Sequence, residues 1–572
     1  MATYLLCSSP IYGHVVPLVE IGRYLRSQGH QVGMLTGARF EDTVTGAGLR
    51  FLRLPEACDF DDRDLDLSFP GRVGKKGLAR LRFDMAEVFI KPMPQQYRAL
   101  REELDRTPTD AVLAESSFTG AVVPLLRAEP RPSILFSGII PLAFSSRDTA
   151  PFGPGLPPLP TKAGVLRNLM LNTLIQKVVF RPTHRAANRQ MKAAAGVPLP
   201  VHFLDAASLA DRFLQFTCPG FEYPRSDLPA SVRFVGPVLP TGSADFTPPS
   251  WWGDLRAGRP VIHVTQGTID NKDPGRLILP TLRALADLDV LVVATTGGAP
   301  LPPGDVPPNA RVAGSLPHEH LLPLVDVMIT NGGYGGTQRA LAEGLPVVVA
   351  GDREDKPEVA ARVAWAGVGI NLRTGSPSPR AIRKAVRRVL SDPSYKEAAG
   401  RLASEYARYA ALPMIARELE TAEAGPPRGR GDAARRGRGR KGLALVSAAQ
   451  LALGVAGLHR ALRKRTAYDI GFLRGSTDTI ERDQWLTGTN LSAPGGMLVL
   501  QAVCTAALFR RPSRAAARTL GILGAIMTGG YPAERSVRAS WRRPDDGVAP
   551  LTAAAALLAA LMAALGFRTA GR

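Results

Sequence analysis

Two short stretches hold residues whose types and spacing suit a reaction. The first is SSPIYGHVVPL, residues 8–18, where His14 follows Gly13 at the end of an apolar run and at the mouth of a helical pattern. An imidazole in water titrates near pH 6.5, so a histidine placed there can take a proton from a substrate hydroxyl at neutral pH. A histidine kept for structural reasons is the other reading. Glu115 closes a second apolar run, DAVLAE at 110–115, and a carboxylate on the same sheet can accept the second imidazole N–H and fix the tautomer. The second stretch is NGGYGGTQ, residues 331–338, where Asn331, Gly332, Gly333, Gly335 and Gly336 lead from an apolar run to Thr337, the expected start of a helix. Glycines let a ligand approach the backbone, and free N–H groups at a helix mouth attract an anion, most often phosphate. With no lysine placed to assist γ-phosphate transfer, the pattern fits a diphosphate that is held while another group departs. A tight turn serving only helix–sheet packing is the alternative.

Other patterns carry less. Asp64-Leu65-Asp66 imitates a metal-binding pair but lies in an acidic loop, and no metal is expected. His318 and His320 stand two apart and share no helix face, unlike the histidines of a metalloprotease helix. His318 instead suits the border of a nucleobase pocket. Cys7, Cys58, Cys218 and Cys504 lie too far apart to suggest a zinc site or a disulfide framework. The net charge of +21 would ordinarily point to nucleic acid or an anionic membrane, yet much of the arginine lies at 428–441. The joint abundance of Ala, Arg, Gly and Pro is what a GC-rich coding sequence yields without selection for polyanions. Nucleic acid is therefore not expected as a partner.

These residues need elements to hold them. Residues 3–36 alternate short apolar runs with a helical pattern, a β-α-β unit that opens an α/β domain over 1–239. A segment dense in Pro, Gly, Ser and Asp, 240–259, divides the chain, and a second α/β domain with strands in PVIHVTQG, VLVVATTG, VDVMITNGG and PVVVAG follows over 260–424. Two facing, doubly wound Rossmann-like domains leave a cleft at the carboxyl ends of their strands, where ligands bind. A basic linker at 425–441 then leads to an all-α segment, 442–572, with apolar stretches at 442–458, 491–509, 515–531 and 548–567. Spanning a bilayer takes about 20 apolar residues. The second and fourth stretches qualify, the first is marginal and the third carries Arg518, so a helical membrane module is expected, with an alanine-rich soluble bundle as the alternative. The basic residues before the first stretch favour a cytoplasmic start, and the N-terminus lacks a signal-peptide pattern, which places both α/β domains on the cytoplasmic side of a membrane.

The stretch PIYGHVVPLVEIGRYLRSQGHQV resembles the N-terminal signature of the GT-B UDP-glycosyltransferases, in the branch with macrolide, flavonoid and sterol glycosyltransferases. Residues 316–372, which contain NGGYGGTQRALAEG and GDREDKPE, resemble the donor-binding signature of the same family, and the likeness extends over about 1–420. The resemblance implies that His14 deprotonates an acceptor hydroxyl with Glu115 as its partner, where the family has an aspartate. It implies a nucleotide-diphosphate sugar held by Asn331 to Thr337 together with Gly267 and Thr268, inversion at the anomeric carbon, and no metal or other cofactor. Three positions depart from the family. Asn331 replaces a histidine, Arg339 replaces the glutamate that binds ribose, and Asp355-Lys356 stands where Asp/Glu is followed by Gln. Arginine cannot accept a hydrogen bond, so ribose recognition must differ. The expected activity is transfer of a sugar to a hydroxyl of a lipophilic acceptor. The alternative is a catalytically weak nucleotide-sugar sensor coupled to the membrane helices. A sugar-nucleotide epimerase of the same fold would instead change the sugar without an acceptor.

Overall fold

The computed structural model describes residues 1–239, 246–267, 273–302, 304–425, 431–464, 469–470, 473–474, 484–485, 488–489, 491–510, 513–542 and 548–570. The chain divides into two compact units, Met1–Gly429 and Arg430–Arg572.

The first unit holds two parallel sheets. In the first, β1 (Thr3–Cys7), β2 (Gln31–Thr36), β3 (Arg50–Arg53), β4 (Ala111–Glu115), β5 (Ser133–Gly138), β6 (Arg212–Gln215) and β7 (Val232–Phe234) lie in the order β3-β2-β1-β4-β5-β6-β7. In the second, β8 (Val261–Thr265), β9 (Leu291–Thr295), β10 (Ala310–Ala313), β11 (Val327–Thr330), β12 (Val347–Val349) and β13 (Gly369–Asn371) lie in the order β10-β9-β8-β11-β12-β13. The central strands are continuous apolar runs, as strands covered by helices on both faces must be. In both sheets the order of winding reverses at the first and fourth strands, β1 beside β4 and β8 beside β11, which opens a crevice at their carboxyl ends. Register sharpens this: Cys7 pairs with Ala114 and Thr265 with Thr330, so the residues after each pair leave the sheet side by side.

The two domains are stitched together. Cys218 and Phe221 pack in the core of the second sheet with Val261, Leu291 and Tyr334. The helix Ala411–Thr421, within the span expected for the second domain, returns to the first sheet and buries Ile415 and Leu419 against Leu18 and Leu25. The Arg362 guanidinium, on the helix Lys356–Trp365, meets Glu222 through its Nε at 2.7 Å and Glu358 through Nη1 at 2.9 Å, over the Tyr223 ring at 4.2 Å. Glu358 also accepts from the N–H groups of Gly153 and Gly155, and Glu222 from Leu142, so one buried ionic triad ties three segments.

In the second unit the helix Gly431–Arg463 covers most of the expected basic linker and runs on through the first apolar stretch, of which Gly442–Arg463 is long and apolar enough to cross a membrane. Among the described residues, Val548–Ala570 is the other such helix. The second stretch, expected to span, forms a helix of only 16 residues, Gly495–Arg510. At 1.5 Å per residue that is about 24 Å, short of a hydrocarbon core of about 30 Å. Polar side chains meet inside this unit: Gln501 donates to Gln450 at 2.7 Å, and the Ser447 and Thr505 hydroxyls lie 2.7 Å apart.

Candidate active site

His14 occupies the first turn of the helix Tyr12–Ser27, which follows β1, while Glu115 is the last residue of β4. Adjacent strand ends bring them together, with His14 Nδ1 3.2 Å from Glu115 Oε2. Glu115 is fully buried and accepts from every side. Ser9 N–H reaches Oε1 at 3.0 Å, Ser117 N–H reaches Oε2 at 2.6 Å, and the Ser117 hydroxyl reaches Oε1 at 2.6 Å. Burial pushes its carboxyl pKa up, but the His14 charge and the bonds from His14 and Ser117 outweigh it, and the net shift is downward. Ser117 Oγ also lies 3.2 Å from His14 Nδ1. Because the hydroxyl proton goes to Glu115, that oxygen accepts, and both contacts require the imidazole proton on Nδ1. Nε2 then carries the lone pair. It has no partner among the described residues, and the His14 side chain is 19% exposed. Gly13 beside it is unobstructed, with nothing within 4 Å of where a Cβ would stand. No local sequence pattern marks Ser9 or Ser117 as partners of Glu115.

The glycine turn lies at the equivalent corner of the second sheet. The helix begins at Tyr334, three residues ahead of Thr337, which sits fully buried within it. Gly332 adopts φ +88, and a Cβ there would meet Val349 Cγ1 at 2.7 Å, so a side chain is excluded twice over. Gly335 and Gly336 are unobstructed, and their N–H groups, in the first helical turn, have no partner among the described residues. Asn331 is spent on the turn itself. Its Oδ1 accepts from Gly333 N–H at 3.3 Å and its Nδ2 donates to the Gln266 carbonyl. It thereby clamps the end of β8 to the end of β11. Gly267 follows with φ +76, its Cβ position 3.5 Å from the Asn331 amide. Thr268 lies outside the described residues.

Further along the cleft, Asp355 precedes the helix Lys356–Trp365, and Glu354 takes φ +56, a left-handed conformation uncommon for a side chain. The Lys356 ammonium pairs with Glu354. The Asp355 carboxyl is pushed up to about 6, first by burial and next by Glu354, while Lys356 and His14 hold it down. Glu354 likewise feels Arg72 from the first domain; burial pushes its carboxyl up, but Lys356, and then Arg72, bring it below the ordinary value. His318 opens the short helix His318–Leu321, half-buried, edge-on to His263 at 5.7 Å. Burial lowers its pKa, and Arg339 lowers it further, so His318 and Arg339 share a corner of the second domain. Asp64 and Asp66 serve locally, Asp64 capping Leu67 N–H and Asp66 pairing with Arg72.

Two doubly wound domains, with a hydrogen-bonded His–Glu pair at one switch point and an open glycine helix mouth at the other, have the layout of a nucleotide-sugar-dependent glycosyltransferase. Comparison with known proteins agrees. Residues 280–421 match the family described as erythromycin biosynthesis protein CIII-like, C-terminal domain. The chain is 44% identical over 408 residues to 4'-demethylrebeccamycin synthase of Lentzea aerocolonigenes, covering 71% of this chain and 96% of that protein. It is 37% identical over 436 residues to UDP-glycosyltransferase 2 of Phaeomoniella chlamydospora, covering 73% and 94%. The crystal structure of the calicheamicin glycosyltransferase CalG4 shares the fold, with a TM-score of 0.58 at 22% identity over 74% of this chain and 98% of that one. The chain belongs to the UDP-glycosyltransferase family.

Proposed function

We propose that the enzyme is an inverting, metal-independent glycosyltransferase that moves a sugar from a nucleotide-diphosphate sugar to a hydroxyl of a lipophilic acceptor, at the cytoplasmic face of a membrane. The observation that carries the reading is the dyad: a buried, fully hydrogen-bonded Glu115 holds His14 with Nε2 as the free acceptor. The acceptor O–H gives its proton to Nε2 as its oxygen attacks the anomeric carbon. The bond from that carbon to the diphosphate breaks, with its electron pair going to the leaving oxygen. One displacement gives one inversion. The charge that develops on the diphosphate is met by the N–H groups of Gly335 and Gly336 and the positive end of their helix. Base and anion site are thus supplied by side chain and backbone, which is why no metal is invoked.

The two apolar helices that, among the described residues, are long enough to span a bilayer support the membrane half of the reading, since a lipophilic acceptor concentrates there. A partial relative from Mycobacterium tuberculosis, 39% identical over 183 residues and 41% of its own length, is named a PGL/p-HBAD biosynthesis glycosyltransferase. The test is to incubate the full chain with UDP-, dTDP- and GDP-sugars, with and without a hydroxylated lipophilic acceptor, in the presence of a chelator. Acceptor-dependent release of nucleotide and an inverted anomeric signal in the product support the proposal. Tight binding without turnover would instead mark a sensor, and a changed sugar with no acceptor an epimerase.

A further inference from the structure

The helix Lys162–Leu174 and the turn Ile175–Val179 that continues it face the wrong way for a protein in water. Gly164, Asn168 and Asn172, spaced four apart, point into the domain. Asn168 is 0% exposed and its Nδ2 donates to the Arg147 carbonyl at 3.1 Å, while Asn172 Nδ2 donates to the Ser146 carbonyl at 3.1 Å. These bonds fix the rotation of the helix about its axis. The opposite face therefore cannot roll inward, and it carries Leu166, Leu169, Met170, Leu174 and Val178, with Met170 64% and Val178 62% exposed. Single exposed leucines are ordinary, whereas a continuous stripe held outward marks an interaction surface.

Charge identifies what covers it. Between residues 149 and 204 the sequence contains no Asp or Glu and seven basic residues. Lys162 and Lys177 are exposed at the two ends of the apolar stripe, and Arg181, Arg185 and Arg189 recur every fourth residue on the exposed side of the helix Arg181–Ala195. None of these five forms an ion pair among the described residues. An apolar stripe with unpaired cations at its ends and along the exposed side of the following helix repels a second copy of itself and complements an anionic interface. We propose that this face docks on the surface of an anionic lipid bilayer, with the leucines entering the headgroup boundary and the cations against lipid phosphates. Docking is a property of the catalytic unit and holds whether or not the C-terminal helices span. That it presents His14 to acceptors in the membrane rests on the function proposed above.

The test uses the full chain with Met170→Cys carrying a fluorophore; the four native cysteines are buried and leave that site the accessible one. The protein is reconstituted in phosphatidylcholine vesicles with or without phosphatidylglycerol, containing a headgroup nitroxide quencher. Quenching that needs phosphatidylglycerol and fades at high salt is expected. Neutralising Lys177, Arg181 and Arg185 to glutamine should shift the docked-to-undocked ratio roughly fivefold for each cation and about a hundredfold together. Leu166→Ser with Leu169→Ser should abolish quenching while leaving the circular dichroism spectrum unchanged. Equal quenching without anionic lipid, no quenching in any vesicle, or disulfide-linked dimers of the unlabelled Met170→Cys variant in the absence of lipid would each overturn the proposal. Glycosyl transfer to a water-soluble acceptor, measured on the same variants, separates a failure of docking from a failure of the transferase reading.

Discussion

Replacing Glu115 by glutamine keeps its volume and removes its charge, and the structure states the cost. The carboxylate accepts at both oxygens: Oε1 takes Ser9 N–H at 3.0 Å and the Ser117 hydroxyl at 2.6 Å, and Oε2 takes Ser117 N–H at 2.6 Å and His14 Nδ1 at 3.2 Å. A glutamine has one acceptor oxygen. Whichever way its amide turns, the NH2 meets a backbone N–H, of Ser9 in one orientation and of Ser117 in the other. A buried donor set against a donor costs about 1–3 kcal/mol of stability. Turned toward Ser117, the NH2 also faces His14 Nδ1 and pulls the ring proton to Nε2, where the base lone pair has to be. In either orientation the imidazolium formed during transfer loses its counter-charge. We expect kcat to fall by about 10²–10⁴ while donor KM changes little, because Glu115 acts on the proton and not on donor binding. Glu115→Asp keeps the charge at the cost of one methylene and should lose less. The assay is nucleotide release under saturating donor and acceptor, with urea unfolding as the stability control. Glu115→Gln with kcat within a few fold of wild type would refute the dyad as the source of base catalysis, as would a double variant with His14→Ala in which the two losses multiply in full.

Asn331→Asp sets a carboxylate against the Gln266 carbonyl that the amide now serves and adds negative charge beside the anion site, so donor KM, measured in initial-rate assays, should rise about tenfold or more. Because the Asp355 carboxyl is pushed up to about 6 by burial and then by Glu354, donor affinity should strengthen as pH rises through that value and the carboxylate forms; calorimetric titration of Asp355→Asn should give a flat profile. Arg362→Met strands Glu222 and Glu358 without their cation and should lower unfolding stability by about 3–5 kcal/mol, read from the urea midpoint of the catalytic unit. Burial and then the neighbouring His184 push His202 down to about 4, and burial and then His318 push His263 down to about 3, so both stay neutral in the folded chain while the unfolded chain binds protons below about 6.5. Their contribution is complete above that value and is lost as pH falls toward the folded values, so the thermal midpoint should drop between about pH 7 and pH 5, and less so in His202→Gln.

What the sequence showed of this fold followed from burial. The strands that end at the site, β1, β4, β8 and β11, are covered on both faces and read as unbroken apolar runs, and the residues that follow them stand out against those runs. The edge strands did not read as strands. β3 is Arg-Phe-Leu-Arg, β10 is Ala-Arg-Val-Ala and β13 is Gly-Ile-Asn, three or four residues each, too short and too polar for any periodicity to register. Ser117 and Ser9 carry no pattern of their own for a different reason: their value lies in pointing at Glu115, which only strand register decides. The Arg362 triad joins residues up to 140 apart in sequence, and no local pattern announces it. The helix Lys162–Leu174 was illegible because pattern reading assumes that leucines face inward, whereas here two asparagines do.

The three departures from the family pattern become less costly once the turn is seen in detail. A histidine at position 331 would contribute a side chain to the donor, but Asn331 has been given to the scaffold, closing an Asx turn on Gly333 and bridging to Gln266. In the proposed reaction the burden of holding the diphosphate then falls on backbone N–H groups, which no substitution of side chains removes and which the two open glycines leave accessible. Lys356 is likewise engaged with Glu354, so its charge balances a loop and, under the proposed reading, Asp355 is the group left to meet the sugar. Arg339 differs from both, because it stands beside His318 with its Nε buried and without a hydrogen-bond partner among the described residues. Asn331 and Lys356 hold the site's shape, so it is at the Arg339 corner that this chain's choice of nucleotide should depart from that of its relatives, and Arg339→Glu is the exchange that would move it.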